Sequence, residues 1–247
     1  MMALIDGDLV AYINAATAEN DPKEIAILRT DKFVRDILEK TNADSYRIFL
    51  SGSDNFRYKI NPEYKANRKD TPDPKWREAC KEFLVTEWKA EVTEGYEADD
   101  ALGINQSLMY PEPGNEQTII CSIDKDLDMI PGMHYSWPII RLGKEVRPGK
   151  IYEVSEIEGL RSFFRSLLVG DRSDNIIGIN GIGKVKASKL IDHLEDENEM
   201  SRIVYELYDN HERFEMNAKC LWIMREEGDI WQLMKEDFLL ESPLQQE

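Results

Sequence analysis

GDRSDNIIGINGIGKVKASKL, residues 170–190, joins two kinds of chemistry within a few turns of chain. Its front half is acidic. Asp171 and Asp174 stand three residues apart, a spacing that in a helical turn puts both carboxylates on one face, where they can hold a hard divalent cation through oxygen. Its back half reads as a phosphate cradle. Gly181 and Gly183 allow a tight turn that brings backbone N–H groups to an anion, the following helix offers its positive N-terminus, and Lys184, Lys186 and Lys189 add charge. Alone, a GxG is usually a turn and a DxxD pair a solvated helix face; in this order they point to a metal site beside a nucleic-acid anchor.

Outward from this stretch, apolar runs end in carboxylates. Ala3-Leu4-Ile5 reads as a buried strand that delivers Asp6 at its C-terminal end, the edge at which open α/β sheets build their sites. Asp8 is expected to cap the next helix. Apolar spacing between Pro22 and Lys40 predicts an amphipathic helix, and Tyr46 to Leu50 a second strand, followed by SGSDNFRYKINPEYKANRK. Thr118 to Ser122 reads as a central strand closed by Asp124 and Asp126. Glu97, Asp99 and Asp100 crowd four residues; a helix dipole tolerates such a cluster, and bound metal tolerates it better. Lys65 and Arg68, three apart on an expected helix, can project two cations toward one phosphate. Residues 137–150 read as a strand and turn broken at Pro148-Gly149. Later spacings at Ile203, Val204, Leu207 and Tyr208, and at Leu221, Trp222, Ile230 and Leu233, predict helices of a small C-terminal lobe.

GDRSDNIIGINGIGK, the NFR tripeptide at 55–57, Tyr64-Lys65-Ala66-Asn67-Arg68-Lys69 and the acidic cluster at 97–100 together resemble the phage-type 5'-3' exonuclease and flap endonuclease family. That family also supplies the 5'-nuclease domain of bacterial DNA polymerase I. The likeness runs from Asp6 to Lys189. It implies an α/β fold with a mostly parallel central sheet flanked by helices and a helix-hairpin-helix DNA-binding segment. The implied division is a nuclease core over 1–150, with a helical arch at 55–90, and a helix-hairpin-helix plus helical lobe over 151–247.

The resemblance further implies hydrolysis of DNA phosphodiester bonds with two Mg²⁺ or Mn²⁺ ions. Asp6, Glu97, Asp99 and Asp100 would surround one ion; Asp124, Asp126, Asp171 and Asp174 would serve the other. Lys65 and Arg68 would hold the scissile phosphate, with Tyr64 stacked on a base. Arg57, Lys69, Gly181, Gly183, Lys184, Lys186 and Lys189 would contact DNA, with K⁺ as a further ion at the hairpin. One departure stands out: relatives place a metal-binding Asp where this chain has Gly52, and Asp54, two residues on, is the candidate replacement. The implied partner is DNA with a free 5' end, duplex or flap, acted on by a monomer. The rivals are a nuclease preferring RNA–DNA hybrids and a DNA-binding protein that has lost cleavage.

The net charge of −17 runs against a nucleic-acid partner until it is mapped. From Asp192 onward 16 acidic residues face 5 basic ones, whereas residues 55–69 and 161–191 each carry a net of +4. Cys80, Cys121 and Cys220 are too dispersed for a disulfide framework or a zinc site and read as packing residues. His134, His193 and His211 are scattered, which gives a histidine general base no support. No apolar run reaches the length of a membrane span and no leader pattern opens the chain, so the expected location is the cytoplasm of a bacterial or phage-infected cell.

Overall fold

The structure is a computed structural model that describes residues 1–69, 71–109, 118–141 and 143–233. The chain begins with β1 (Met2–Asp6), α1 (Gly7–Thr17), α2 (Lys23–Thr41), β2 (Ser45–Leu50), the single turn α3 (Arg57–Ile60), α4 (Arg77–Trp88), β3 (Glu91–Val92) and α5 (Ala98–Met109). It continues through β4 (Thr118–Cys121), β5 (Gly132–Ser136), β6 (Ile139–Arg141), β7 (Lys144–Arg147), β8 (Lys150–Val154) and α6 (Glu156–Val169). Then come β9 (Gly170–Asp171), β10 (Ile176–Ile177), α7 (Lys184–Ile191), α8 (Glu197–Leu207) and α9 (His211–Leu221).

The main sheet has the order β3-β2-β1-β4-β5-β8 and is parallel throughout except for β8, which runs antiparallel to β5. Ala3, Leu4 and Ile5 are fully buried because β1 is central and covered on both faces, which explains its unbroken apolar run. Alternation divides them. Ala3 and Ile5 pack with Val10, Val34 and Leu84 of α1, α2 and α4, while Leu4 joins Ile120 and Leu102 on the α5 side. The chain leaves β1 for β2 on one side and later fills β4 on the other. A crevice therefore opens at the C-terminal ends of β1 and β4, the switch point of the sheet.

A second core, built by α6 to α9, stacks Phe163 edge-on against Trp222 with centroids 4.9 Å apart and also takes in Tyr64 and Met129. The α/β sheet is as the sequence implied, but several local expectations are not. Residues 77–88 are not an arch: Cys80, Leu84 and Trp88 bury α4 in the core shared with α1 and α2. The division expected at 150 falls at the first residue of β8, which completes the main sheet. Helix α9 ends at Leu221, and no helix covers 222–233, where Trp222 and Trp231 pack as loop residues. Asp171 and Asp174 do not share a helical turn: Asp171 lies in β9 and Asp174 in the tight turn before β10.

Candidate active site

The crevice is lined by carboxylates joined through a relay of hydrogen bonds. Asp6 closes β1 and caps α1, accepting from the Leu9 N–H at 3.0 Å. The Ser122 hydroxyl, just past β4, donates to the other Asp6 oxygen at 2.8 Å and accepts from the Asp124 N–H at 3.0 Å. The Asp124 carboxylate in turn accepts from the Asp126 N–H at 3.0 Å. Asp8 is not the cap; it accepts from the Ser51 N–H at 2.8 Å and faces Lys81 at 3.4 Å.

These acids repel one another in a buried setting. Burial, with added repulsion from Asp8 and Asp124, pushes Asp6 up to about 7 despite its two hydrogen bonds. Asp126 rises to about 8 through burial and the charges of Asp124, Asp171 and Asp174. Burial likewise raises Asp124, helped by Asp174 and Asp171, and raises Asp99 well above its ordinary range, helped by Asp6, Asp124 and Glu97. Glu97 goes the other way. Burial pushes it up, but Lys65 and Arg57 outweigh that and hold it below the usual carboxylate range.

Lys65 belongs to a loop stitched onto the turn that carries Asp171 and Asp174. Its N–H donates to the Asp174 carbonyl at 2.9 Å, Asn67 donates to the Arg172 carbonyl at 2.7 Å, and the Arg68 Nε donates to the Ser173 carbonyl at 2.9 Å. Asn175 returns a bond to the Glu63 carbonyl at 2.8 Å. Instead of the expected helix, Lys65 sits in the left-handed region at φ 56° and caps a single 3-10 turn over Ala66–Arg68. Such a conformation in a non-glycine residue is held only where surrounding contacts fix it. The Lys65 ammonium pairs with Glu97 and stands 3.7 Å from Asp174, while Arg68 pairs with Asp174.

Tyr64 is not free to stack on a base. Its ring is buried and its hydroxyl lies 2.8 Å from Glu97 and 2.7 Å from Asp174, bridging the two acidic segments. Arg57 is likewise no DNA contact. It is buried, donating to both Asp100 oxygens at 2.6 and 2.8 Å and to the carbonyls of Cys220 and Trp222 at 2.8 and 2.7 Å. Asp100 also accepts from the N–H groups of Glu97 and Met224, so its oxygens are fully engaged and it is not a metal ligand. The NFR and EADD segments thus supply a structural clamp, which residue type alone could not reveal.

Gly52 has a steric reason to be glycine: an added Cβ would come within 2.2 Å of the Thr93 carbonyl oxygen. Asp54 does not replace the missing carboxylate; it is exposed and faces Lys59 at 3.8 Å. In the hairpin, Gly181 adopts φ 76° and Gly183 caps α7, and Gly181, Gly183, Lys184, Lys186 and Lys189 are all exposed. Those three lysines have no ion-pair partner among the described residues, and Lys69 is exposed as well.

The structure therefore gathers Asp6, Glu97, Asp99, Asp124, Asp126, Asp171 and Asp174 into one mutually interacting set, with Lys65 against Glu97 and Asp174. No three Asp, Glu, His or Cys side chains among the described residues are already converged on a metal position. The donor set nonetheless suits hard divalent cations, since it concentrates oxygen ligands whose mutual repulsion such an ion relieves.

Residues 1–137 match the family described as the 5'-3' exonuclease N-terminal resolvase-like domain. The chain belongs to this family. Similar proteins include the 5'-3' exonuclease of Buchnera aphidicola, 32% identical over 73% of this chain and 66% of its own length, and that of Mycoplasma pneumoniae, 29% identical over 76% and 70%. DNA polymerase I of Bacillus caldotenax is 31% identical over 77% of this chain. The chain spans only 23% of that polymerase and about two thirds of the Buchnera exonuclease. Among solved structures, the bacteriophage T5 5'-exonuclease with bound divalent zinc shares the fold, with a TM-score of 0.64, 16% identity, and coverage of 89% of this chain and 84% of that one.

Proposed function

We propose that this 5'-3' exonuclease family member is a divalent-metal-dependent 5'-3' exonuclease or flap endonuclease that hydrolyses DNA phosphodiester bonds. The observation that carries this reading is the placement of seven carboxylates at the sheet's switch point with Lys65 and Arg68 among them. Asp6, Glu97, Asp99 and Asp124 would hold Mg²⁺ or Mn²⁺ on the β1 side, and Asp124, Asp126, Asp171 and Asp174 would do so on the turn side. Two such ions supply an activated water and stabilisation of the leaving oxygen.

The chain's own groups do the rest. Lys65 and Arg68 bring two cations to the carboxylate rim, where they neutralise charge developing on phosphoryl oxygens. Tyr64 fixes Glu97 relative to Asp174. The Gly181 turn and Lys184, Lys186 and Lys189 grip duplex phosphates without reading sequence, with K⁺ as the candidate ion of that turn. DNA carrying a free 5' end, duplex or flap, is the substrate that suits a single-strand path beside Lys65 and a duplex grip on α7, and a monomer in the cytoplasm suffices for it. No described helix is long and apolar enough to cross a membrane.

The test is cleavage of 5'-labelled duplex, flap and RNA–DNA hybrid substrates with and without Mg²⁺. Asp124→Asn and Asp171→Asn should each abolish turnover while the protein stays folded. Undiminished cleavage in chelator, or in both variants, would sink the metal mechanism.

A further inference from the structure

The β6/β7 ribbon is left unused by the site described so far. Residues 137–150 carry Arg141, Lys144, Arg147 and Lys150 against the single acid Glu145, in a chain whose net charge is −17. The ribbon grows out of the main sheet between Ser136, the last residue of β5, and Lys150, the first of β8. Ile5 of β1 pairs with Cys121 of β4, and Cys121 pairs with Tyr135 of β5. Ser136 is therefore level with Asp6, two strand spacings away, or roughly 10 Å. The ribbon leaves the sheet at the edge that bears the carboxylates.

Its base is held, and among the described residues nothing covers its outer strands. Trp137 is buried and set edge-on against Phe33 at 5.2 Å, Arg147 donates to the Ser136 hydroxyl at 2.9 Å, and Lys150 lies 3.9 Å over the Tyr152 ring. Gly149 packs so closely on Pro138 that an added Cβ would approach its Cδ to 2.9 Å. Farther out, Arg141 and Lys144 are exposed with no ion-pair partner among the described residues, and Ile140 and Val146 are 57% and 56% exposed. No hydrogen bond or ion pair among the described residues ties this ribbon to the 170–191 segment.

We infer that the ribbon is a second, sequence-independent grip on the nucleic acid, with Arg141 and Lys144 on backbone phosphates and Ile140 and Val146 against the sugars. The inference rests on the nuclease reading above. Charge complementarity selects the occupant: an anchored cationic ribbon on an acidic protein, beside a site that cuts a polyanion, fits a phosphate backbone. A two-stranded ribbon is also narrow enough to enter a DNA groove.

The experiment is fluorescence anisotropy of the full chain with a 5'-overhang duplex, in chelator, across a NaCl series. Arg141→Ala/Lys144→Ala should reduce the salt slope by about 2 and weaken binding on the order of tenfold, since each lost phosphate contact removes about 0.9 from the slope. Saturating turnover and melting temperature should not change, because both side chains are exposed and neither touches a carboxylate. Charge reversal, Arg141→Glu/Lys144→Glu, should weaken binding further. Wild-type slope and affinity in both folded variants would overturn the ribbon grip and leave the nuclease reading standing. A wild-type protein that does not bind DNA would overturn that reading, and the ribbon with it.

Discussion

The Lys65 N–H donates to the carbonyl of Asp174 at 2.9 Å, fastening two segments that lie far apart in the chain. With Tyr64 bridging Glu97 and Asp174, it makes the cationic loop and the acidic turn one unit. A phosphate held by Lys65 and Arg68, as proposed, would thereby be placed relative to the carboxylates by backbone as well as by side chains.

Tyr64→Phe tests this unit. The ring stays buried, so the loss of stability should be about 1 kcal/mol, the worth of one net hydrogen bond. Turnover should fall about tenfold and half-saturation for Mg²⁺ should rise, since a barrier change of about 1.4 kcal/mol corresponds to that factor. Full activity at unchanged Mg²⁺ demand would mean that the bridge positions nothing.

Arg57 and Asp100 should behave as structural partners. Arg57→Ala or Asp100→Ala leaves a buried charge alone and should cost about 3–5 kcal/mol in chemical denaturation. Arg57→Met/Asp100→Leu should cost less than either single change. Asp99→Asn is the contrast: it should stabilise the metal-free protein by relieving repulsion and still abolish turnover. A stable Arg57→Ala variant that merely binds DNA weakly would restore Arg57 as a DNA contact.

The acids also set a pH dependence. Burial lifts Asp6 to about 7 and Asp126 to about 8, above their ordinary 3.8, so their contribution to stability is complete near pH 4 and is lost as pH rises through those values. In chelator, the melting temperature should fall between about pH 5 and pH 8. Saturating Mg²⁺ should flatten that fall. A chelator curve that climbs toward pH 8, or one that Mg²⁺ leaves unchanged, contradicts the assignment.

The sheet was legible because β1 and β4 are buried on both faces and announce themselves as apolar runs that end in Asp6 and Ser122-Ile123-Asp124. The resemblance implies the acidic set, and seven of the eight residues it assigns to the two ions come together. What stayed hidden depends on partners distant in sequence. Nothing local distinguishes Asp100 from Asp99, yet α5 turns Asp100 inward onto Arg57 and the Met224 N–H. Ser122 carried no signal, because a serine at a strand end is ordinary until Asp6 is seen 2.8 Å away. Lys65 looked helical because spacing cannot show a left-handed residue.

Gly52 and Asp54 give a sharper version of the same lesson. Asp54→Ala should leave Mg²⁺ half-saturation unchanged, because its carboxylate is exposed and faces Lys59. Gly52→Asp should lower stability without improving metal binding, since its Cβ meets the Thr93 carbonyl. A raised metal requirement in Asp54→Ala would return that residue to the ligand set.

Lys65 occupies the place that a bound cation would contest. Its ammonium pairs with Glu97 and neighbours Asp174, and those two acids hold it above its ordinary pKa although burial works in the opposite direction. Removing it should therefore act with opposite signs on binding and on chemistry. Lys65→Met keeps much of the side chain's volume but frees Glu97, so calorimetric affinity for Mn²⁺ should rise severalfold. Single-turnover cleavage should fall by about two orders of magnitude, because a preorganised cation facing phosphoryl charge is worth about 3 kcal/mol. Duplex affinity should change by less than the loss from Lys184→Ala/Lys186→Ala, which removes two exposed cations of the proposed duplex grip. If Lys65→Met weakens metal binding and cleavage in parallel, the ammonium is a scaffold for Glu97 rather than a competitor of the metal, and its place beside the scissile phosphate falls.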